Sequence, residues 1–600
     1  MASYPTGAQP MPTNGLRELT GPEATARAKA MACLRDKFSE CQGQVHVNLF
    51  FDGTGNNWNW KGTFVEKKTD STQTQEARNG HSNVARLWRA SFQETDNGLF
   101  SYYIPGVGTP FPDVGDTNPR GSMLGGASAL YGAERINWAI IQVFNSIHRY
   151  LMNDAVLIDQ NTALILVKEM SKVSLVEGFK RQTFLKAAAK KLENIVKNHQ
   201  RRLKSLNIAV FGFSRGAAEA RAFVHWLYEI VEPWGSGCGY NLAGVPMNLT
   251  FLGLFDTVAS VGMAAMFRIS EGKLSWADGE MMSIHPEVKK CVHFVALHEQ
   301  RMNFPVDLAT TGTEVLYPGM HSDVGGGYTP GGQGKDCAGG KTEDSAKLSQ
   351  IPLIDMHYEA IKAGVPMMTM EEIRARPALA RSFGCHPQLI ADYNAWLAGH
   401  GVAGGDHKTQ IRGHCKQFVQ WKGMRLREGE QNLVAQPFFK RCDDEKCGDK
   451  YDLLNANRDF GNLIEKYQKE RKARQQQKDH LVEAAALRAI SGSGQILGDN
   501  PDPEAPDLMD AALSMKAIPA AATKLFDDYV HDSLAGFYMK TYTELNIPAF
   551  STDGYLRYRS VFNISSTKQK SECIDPQYAP PIPAIVPSMN QIFDQLGSIR

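Results

Sequence analysis

Charge of one sign is missing from this chain: 65 Lys and Arg face 64 Asp and Glu, a formal net charge of +1 at pH 7 over 600 residues. Nucleic acid as principal partner is therefore not expected, because such a partner calls for a basic surplus on one face. Long apolar runs are missing too. No stretch approaches the ~18 uncharged apolar residues of a membrane-spanning helix. The opening "MASYPTGAQPMPTNGLREL" (Met1–Leu19) lacks a basic segment followed by an apolar one. No Sec signal is expected, and the protein is expected in the cytoplasm of the cell that makes it. Cysteine is sparse, with 10 residues scattered singly from Cys33 to Cys573, which argues against a disulfide framework and for folding in a reducing compartment. The tightest pair, Cys442 and Cys447 in "RCDDEKCGD", lacks the second Cys or His pair of a zinc-finger site, so no metal is expected there.

What the chain does have is an alternation of buried strands and helices. Residues 1–21 read as a flexible tail, and "GPEATARAKAMACLRDKFSEC" (Gly21–Cys41) as a leading helix built from strong helix formers. "VHVNLFF" (Val45–Phe51) is an apolar run that ends in Asp-Gly-Thr-Gly, and "LFSYYIPGVGT" (Leu99–Thr109) repeats that grammar. Helical periodicity follows over Ala127–Leu151, then a Lys-rich helical insertion at about 152–206. "NLTFLGLFDTVAS" (Asn248–Ser260), "CVHFVALHEQR" (Cys291–Arg301) and "TEVLYPGMHSDVGGGY" (Thr313–Tyr328) are further strands that run into acids, histidines or glycines. This pattern predicts an α/β fold, a mostly parallel sheet with helices on both faces resembling an α/β-hydrolase, over 45–334. Beyond it, 335–600 predicts an added, mainly helical module assigned to membrane docking or partner binding. It includes a long charged helix (Asn457–Ile490), a linker "SGSGQILGDNPDPEAPD" (Ser491–Asp507), a helix through "LFDDYVHDSLAGFYM" and a late strand-like "YLRYRSVFNIS".

The chemistry concentrates in "NIAVFGFSRGAAEARAFVHWL" (Asn207–Leu227), a strand, a tight turn and a helix. Gly212 and Gly216 flank Ser214 as a sharp strand–helix elbow requires, and the helix N-terminus beneath it favours developing negative charge. With 54 glycines in the chain, G-x-S-x-G alone is weak, and a small-residue junction would look similar; the strand before and helix after strengthen it. A serine hydroxyl needs a base, an acid to orient that base, and donors for the oxyanion. In the order Ser, acid, His, the acid is Asp256 at the end of "LTFLGLF", although it could also cap the following segment. The base is His321, which opens the glycine-rich "HSDVGGGY", with His298 as rival. Oxyanion donors are the N–H of Arg215 and those of Gly53 and Thr54 in "FFDGTGNN". Asp52 and Asp323 lack partners at recognisable metal-ligand spacing. "DVGGGYTPGGQGK" is not a phosphate loop, since it lacks G-x-x-x-x-G-K-[ST]. His531, Asp532 and Ser533 stand consecutively, cannot form a triad among themselves, and read as capping or domain-packing residues.

In order, "FFDGTGNN", "YYIPGVGT", "VFGFSRGAAEAR", "GLFDTV", "FVALHEQR" and "PGMHSDVGGGY" resemble the type VI secretion system lipase effectors of the first subfamily, over about Val45–Tyr328. The resemblance implies a catalytic Ser214, Asp256 and His321, and so prefers His321 to His298. It implies a phospholipase A that cleaves acyl esters of membrane glycerophospholipids in the periplasm of competing bacteria. A spike-protein carrier, a cognate immunity protein and a membrane-docking helical module are implied with it. No cofactor is expected, with calcium left open. A soluble serine esterase or thioesterase, and a non-catalytic binding module that keeps the elbow for structural reasons, are the alternatives.

Overall fold

The computed structural model describes residues 4–35, 43–59, 81–117, 131–171, 177–234, 239–259, 275–277, 279–301, 304–442, 449–489, 505–536 and 554–564. Its centre is a sheet built from β1 (Gly43–Phe51), β2 (Leu99–Ile104), β3 (Leu203–Phe213), β4 (Glu232–Pro233), β5 (Tyr240–Leu242), β6 (Val245–Phe255), β7 (Cys291–Ala296) and, after the separate β8 (Val306–Ala309), β9 (Thr313–Tyr317). Six of these run parallel in the order β2-β1-β3-β6-β7-β9, while the β4–β5 hairpin adds antiparallel to the start of β6. A two-residue hairpin, β10 (Cys337–Ala338) with β11 (Lys341–Thr342), lies apart, and β8 pairs in parallel with β12 (Val561–Ile564).

The near-continuous apolar runs arise because a parallel sheet is buried on both faces. Phe50 and Phe51, neighbours in β1, point to opposite sides and enter different cores. One face is covered by the helices Gly132–Leu151, Gln160–Met170, Glu177–Asn198 and Arg215–Tyr228. Within the expected insertion at about 152–206, two helices thus lie over this face, burying Leu166, Val167, Leu185 and Leu192, and its last four residues already belong to β3. On the other face Phe50 stacks on Phe211 at 4.7 Å, and Phe251 follows at 5.4 Å. This aromatic row is capped by the helices Asn83–Arg89 and Gln350–Lys362, the latter seating Met356 against Gly253 of β6.

Several expectations change. Residues 4–20 are docked, not a flexible tail: Leu316 donates its N–H to the Thr6 carbonyl at 2.9 Å, Met11 and Asn394 exchange two bonds of 2.8 Å, and Arg17 pairs with Asp355. Those partners are hundreds of residues away, so local composition could not show them. Residue 334 is no break in packing, since one core combines Phe211, Phe251 and Phe294 with Ile354, Trp396, Phe418 and Phe526. The helix expected through "LFDDYVHDSLAGFYM" stops at Asp528, and 529–536 form an irregular turn. The long charged helix runs Asp449–Ala489. Most of the expected linker lies outside the described residues, and its last residues open the helix Ala505–Leu513. Cys447 also lies outside them. No described helix is long and apolar enough to cross a membrane.

A chain cut after residue 334 would uncover the Phe50–Phe211–Phe251 row, at about 1.5–3 kcal/mol for each aromatic laid bare. We expect that fragment to aggregate on expression. A soluble fragment with a cooperative thermal transition would show the two halves to be independent.

Candidate active site

Every functional candidate lies just past the C-terminal end of a parallel strand, where such sheets open their crevice. At the end of β3, Ser214 takes φ 59° and ψ −127° before the helix Arg215–Tyr228 begins. A non-glycine residue there costs about 1–3 kcal/mol of backbone strain, so the surroundings must impose it. They do. The Ser214 N–H donates to the Phe255 carbonyl at 3.0 Å, and Val258 donates to the Ser214 carbonyl at 3.2 Å. Gly212 lies against Ala217, and Gly216 against the carbonyls of Phe51 and Asp52; a Cβ on either would collide with backbone.

Phe213 of β3 faces Phe255 of β6, so Asp256 follows beside Ser214, and it too has positive φ, 39°. Asp256 is 0% exposed. Its Oδ2 is 2.6 Å from His321 Nδ1, and its Oδ1 accepts the Ala296 N–H at 2.9 Å. Arg559 donates Nη1 to Oδ1 and Nη2 to Oδ2, both at 2.9 Å. Burial alone would raise the Asp256 pKa, but the Arg559 charge and the His321 bond override it and hold the carboxyl well below the usual carboxylate range. An ionised carboxylate only accepts, so Nδ1 of His321 carries the proton and Nε2 is left with a free lone pair.

His321 opens the five-residue helix His321–Gly325, packed against the rings of Phe213 and Phe304 at 4.6 and 4.9 Å. Its backbone N–H donates to Glu299 Oε2 at 3.1 Å. Burial lowers its pKa below the ordinary value, against the pull of Asp256, which keeps it neutral at pH 7. The rival His298 accepts the Gly319 N–H on Nδ1 at 2.9 Å and sits among His414, Phe418 and Phe526. Burial pushes its pKa down to about 3, and its role is to prop the loop that presents His321.

Around the turn, Arg215 Nε donates to Thr54 Oγ1, tying the first helical residue to the loop after β1. The Gly53 N–H is taken by Asp52 Oδ1 at 2.7 Å, and Tyr103 Oη donates to the other Asp52 oxygen. The Thr54 N–H has no acceptor among the described residues. Asp52 thus accepts from its own loop and from Tyr103 of β2, and Asp323 from the Met320 N–H and His531. Among the described residues no His, Cys, Asp and Glu group forms a metal cage.

Arg559 and Glu219 escape sequence reasoning, whereas the residues His531 and Ser533 belong to the run read from the sequence as capping or domain-packing. Arg559 stands 303 residues from Asp256, and no local pattern marks it. His531 donates from Nδ1 to Asp323 Oδ1 at 2.7 Å and stacks on Tyr328 at 3.8 Å, while Ser533 donates to Glu299 Oε1 at 2.9 Å. The His-Asp-Ser run therefore is a domain-packing element, but from a turn. Glu219, one helical turn past Arg215, is buried with neither carboxylate oxygen bonded among the described residues; burial raises its pKa to about 8.

The family model described as the T6SS phospholipase effector Tle1-like catalytic domain matches residues 46–231 and 241–359. Among solved structures, an uncharacterized protein from Pseudomonas aeruginosa superposes with a TM-score of 0.72 at 25% identity, over 93% of this chain and 84% of that one. The Tle1 effector bound to the VgrG spike of the type 6 secretion system aligns with a TM-score of 0.31 at 17% identity, over 62% of this chain and 84% of that one. No curated protein matches the chain.

Two outcomes test this site. Gly216→Ala forces a Cβ into the Asp52 carbonyl, which should cost about 3 kcal/mol, read as a lower urea midpoint, and slow fluorophosphonate labelling of Ser214. The rate of that labelling should fall with acid as His321 takes a proton. Because the His321 pKa is lowered, the midpoint should lie below the ordinary histidine value of about 6.5; a midpoint above 7 would contradict the assignment.

Proposed function

The chain belongs to the Tle1-like phospholipase effectors of type VI secretion systems, and from that premise we propose that it is a phospholipase A that acts on other bacteria through Ser214, Asp256 and His321. The observation that carries this reading is the 2.6 Å His321–Asp256 pair at the strand end beside Ser214, whose backbone is held in the strained turn. Ser214 Oγ attacks the acyl carbonyl of a glycerophospholipid while His321 Nε2 accepts its proton. Asp256 holds the imidazole and stabilises the imidazolium that forms. The N–H groups of Arg215 and Thr54 receive the oxyanion, with Gly53 shaping the loop around them. His321 then returns the proton to the departing lysolipid alkoxide, and water releases the fatty acid from Ser214 by the same steps. In this reading the sheet is an α/β-hydrolase sheet.

The same membership supports the surrounding biology. The enzyme is made in the cytoplasm, loaded on a spike-protein carrier, neutralised at home by a cognate immunity protein, and acts on membrane phospholipid from the periplasm of the target cell. The helical residues after 334 are the part proposed to approach that membrane. All chemical steps use the chain's own residues, and hydrolysis measured in EDTA and in calcium decides whether calcium contributes.

Hydrolysis of defined phospholipid vesicles should fall by about 10⁴-fold or more in Ser214→Ala with the melting temperature retained. Activity near wild type would remove Ser214 from the mechanism. Faster turnover of short soluble esters than of vesicles would favour a soluble esterase or thioesterase. A wild-type protein that neither hydrolyses esters nor takes a fluorophosphonate would be a binding module.

A further inference from the structure

Among the described residues the Asp256 carboxylate has four donors, and half of them come from one residue 303 positions further along the chain. Oδ1 receives the Ala296 N–H and Arg559 Nη1; Oδ2 receives His321 Nδ1 and Arg559 Nη2. The guanidinium Nε donates to the Phe304 carbonyl at 2.9 Å, and Nη1 also meets the Ala296 carbonyl at 3.3 Å. Arg559 is 3% exposed. A planar fork bound on both sides leaves the carboxylate one orientation, with Oδ2 aimed at His321.

The segment carrying this arginine is anchored on both flanks. After it, the Ser560 carbonyl accepts the Val306 N–H at 2.9 Å, and β12 runs in register with β8 from Val561 beside Val306 to Ile564 beside Ala309. Before it, Tyr555 donates to Asp532, which also holds Lys422. Arg559 and the segment 554–564 lie beyond the residues matched to the catalytic-domain family, whereas β8, on which the segment docks, lies within them.

We propose that Arg559 is a positioning residue for the catalytic acid, and that seating of the segment 554–564 is what completes the active site. The proposal rests on the triad reading above. With Arg559 in place, Asp256 stays ionised despite full burial and cannot rotate away from His321. With the segment unseated, a buried carboxylate that has lost its counter-ion takes up a proton, stops accepting from His321 Nδ1, and leaves Ser214 without an oriented base. The guanidinium charge also opposes formation of the imidazolium, so its service is orientation and ionisation, not added basicity.

The test uses the full-length chain as wild type, Ser214→Ala, Arg559→Lys and Arg559→Met, with p-nitrophenyl butyrate as substrate and circular dichroism melts as the folding control. Arg559→Lys keeps the charge and loses the fork, and should lower kcat by about 10-fold; Arg559→Met loses both and should lower it by about 100-fold or more. KM should stay within about twofold, because Arg559 lies behind Asp256 and does not meet substrate. In Arg559→Met the acid limb of the pH–rate profile should move upward by about one unit, since removing the positive charge raises the pKa of Asp256 and of His321 alike. Folded variants with wild-type kcat and an unmoved limb overturn the proposal, as does loss of activity only in proportion to the unfolded fraction. Failure of both variants to fold would make Arg559 a structural residue and overturn it too. A wild type no more active than Ser214→Ala would instead sink the triad reading itself.

Discussion

A negative charge with no water around it is the constraint on which this structure turns. Asp256 has no exposed surface, and a bare carboxylate in such a place would neutralise itself. Keeping it ionised requires donors from several parts of the chain at once: the end of β7, the turn after β9, and Arg559 in the segment that leads into β12. The parallel sheet makes this possible by bringing the ends of β3, β6, β7 and β9 to one edge. The remaining partner has to be imported, and the β8–β12 pairing imports it.

The same logic repeats one layer outward. Glu299 accepts the His321 N–H, the Arg301 guanidinium and the Ser533 hydroxyl, and the Arg301 charge overrides burial to hold its pKa down, near 2. Asp323, two residues past His321, is bonded by His531. Asp532 between them binds Lys422 and Tyr555. The turn at 531–533 therefore grips the loop bearing His321 from outside while the segment at 554–564 grips Asp256 from behind. The helices after 334 are tied to the site through ionic and hydrogen-bonded contacts as well as through a shared apolar core.

What could be read from the residues in order was whatever is encoded by neighbours. An apolar run that ends in Asp256, a glycine-flanked Ser214 and a glycine-rich stretch after His321 are each complete within about a dozen residues, and each follows the end of a parallel strand. What could not be read is whatever depends on distant partners. Residues 4–20 look like tail because their ladder partner is Leu316 and their side-chain partner Asn394. The change of texture near 334 looked like a boundary because composition records helix content, whereas the core records contact. Helical propensity around Tyr529 lost to the bonds that His531 and Ser533 make to Asp323 and Glu299. Arg559 had no signal at all, being one arginine among many until the chain is folded.

The position of that arginine has a consequence for how the molecule comes into being. A ribosome delivers Ser214, Asp256 and His321 well before it delivers residue 559. During that interval the sheet edge can form, but Asp256 has no guanidinium to share. A nascent chain thus carries every member of the constellation without carrying the constellation. The constellation is therefore assembled only once the segment 554–564 has been made and has docked on β8.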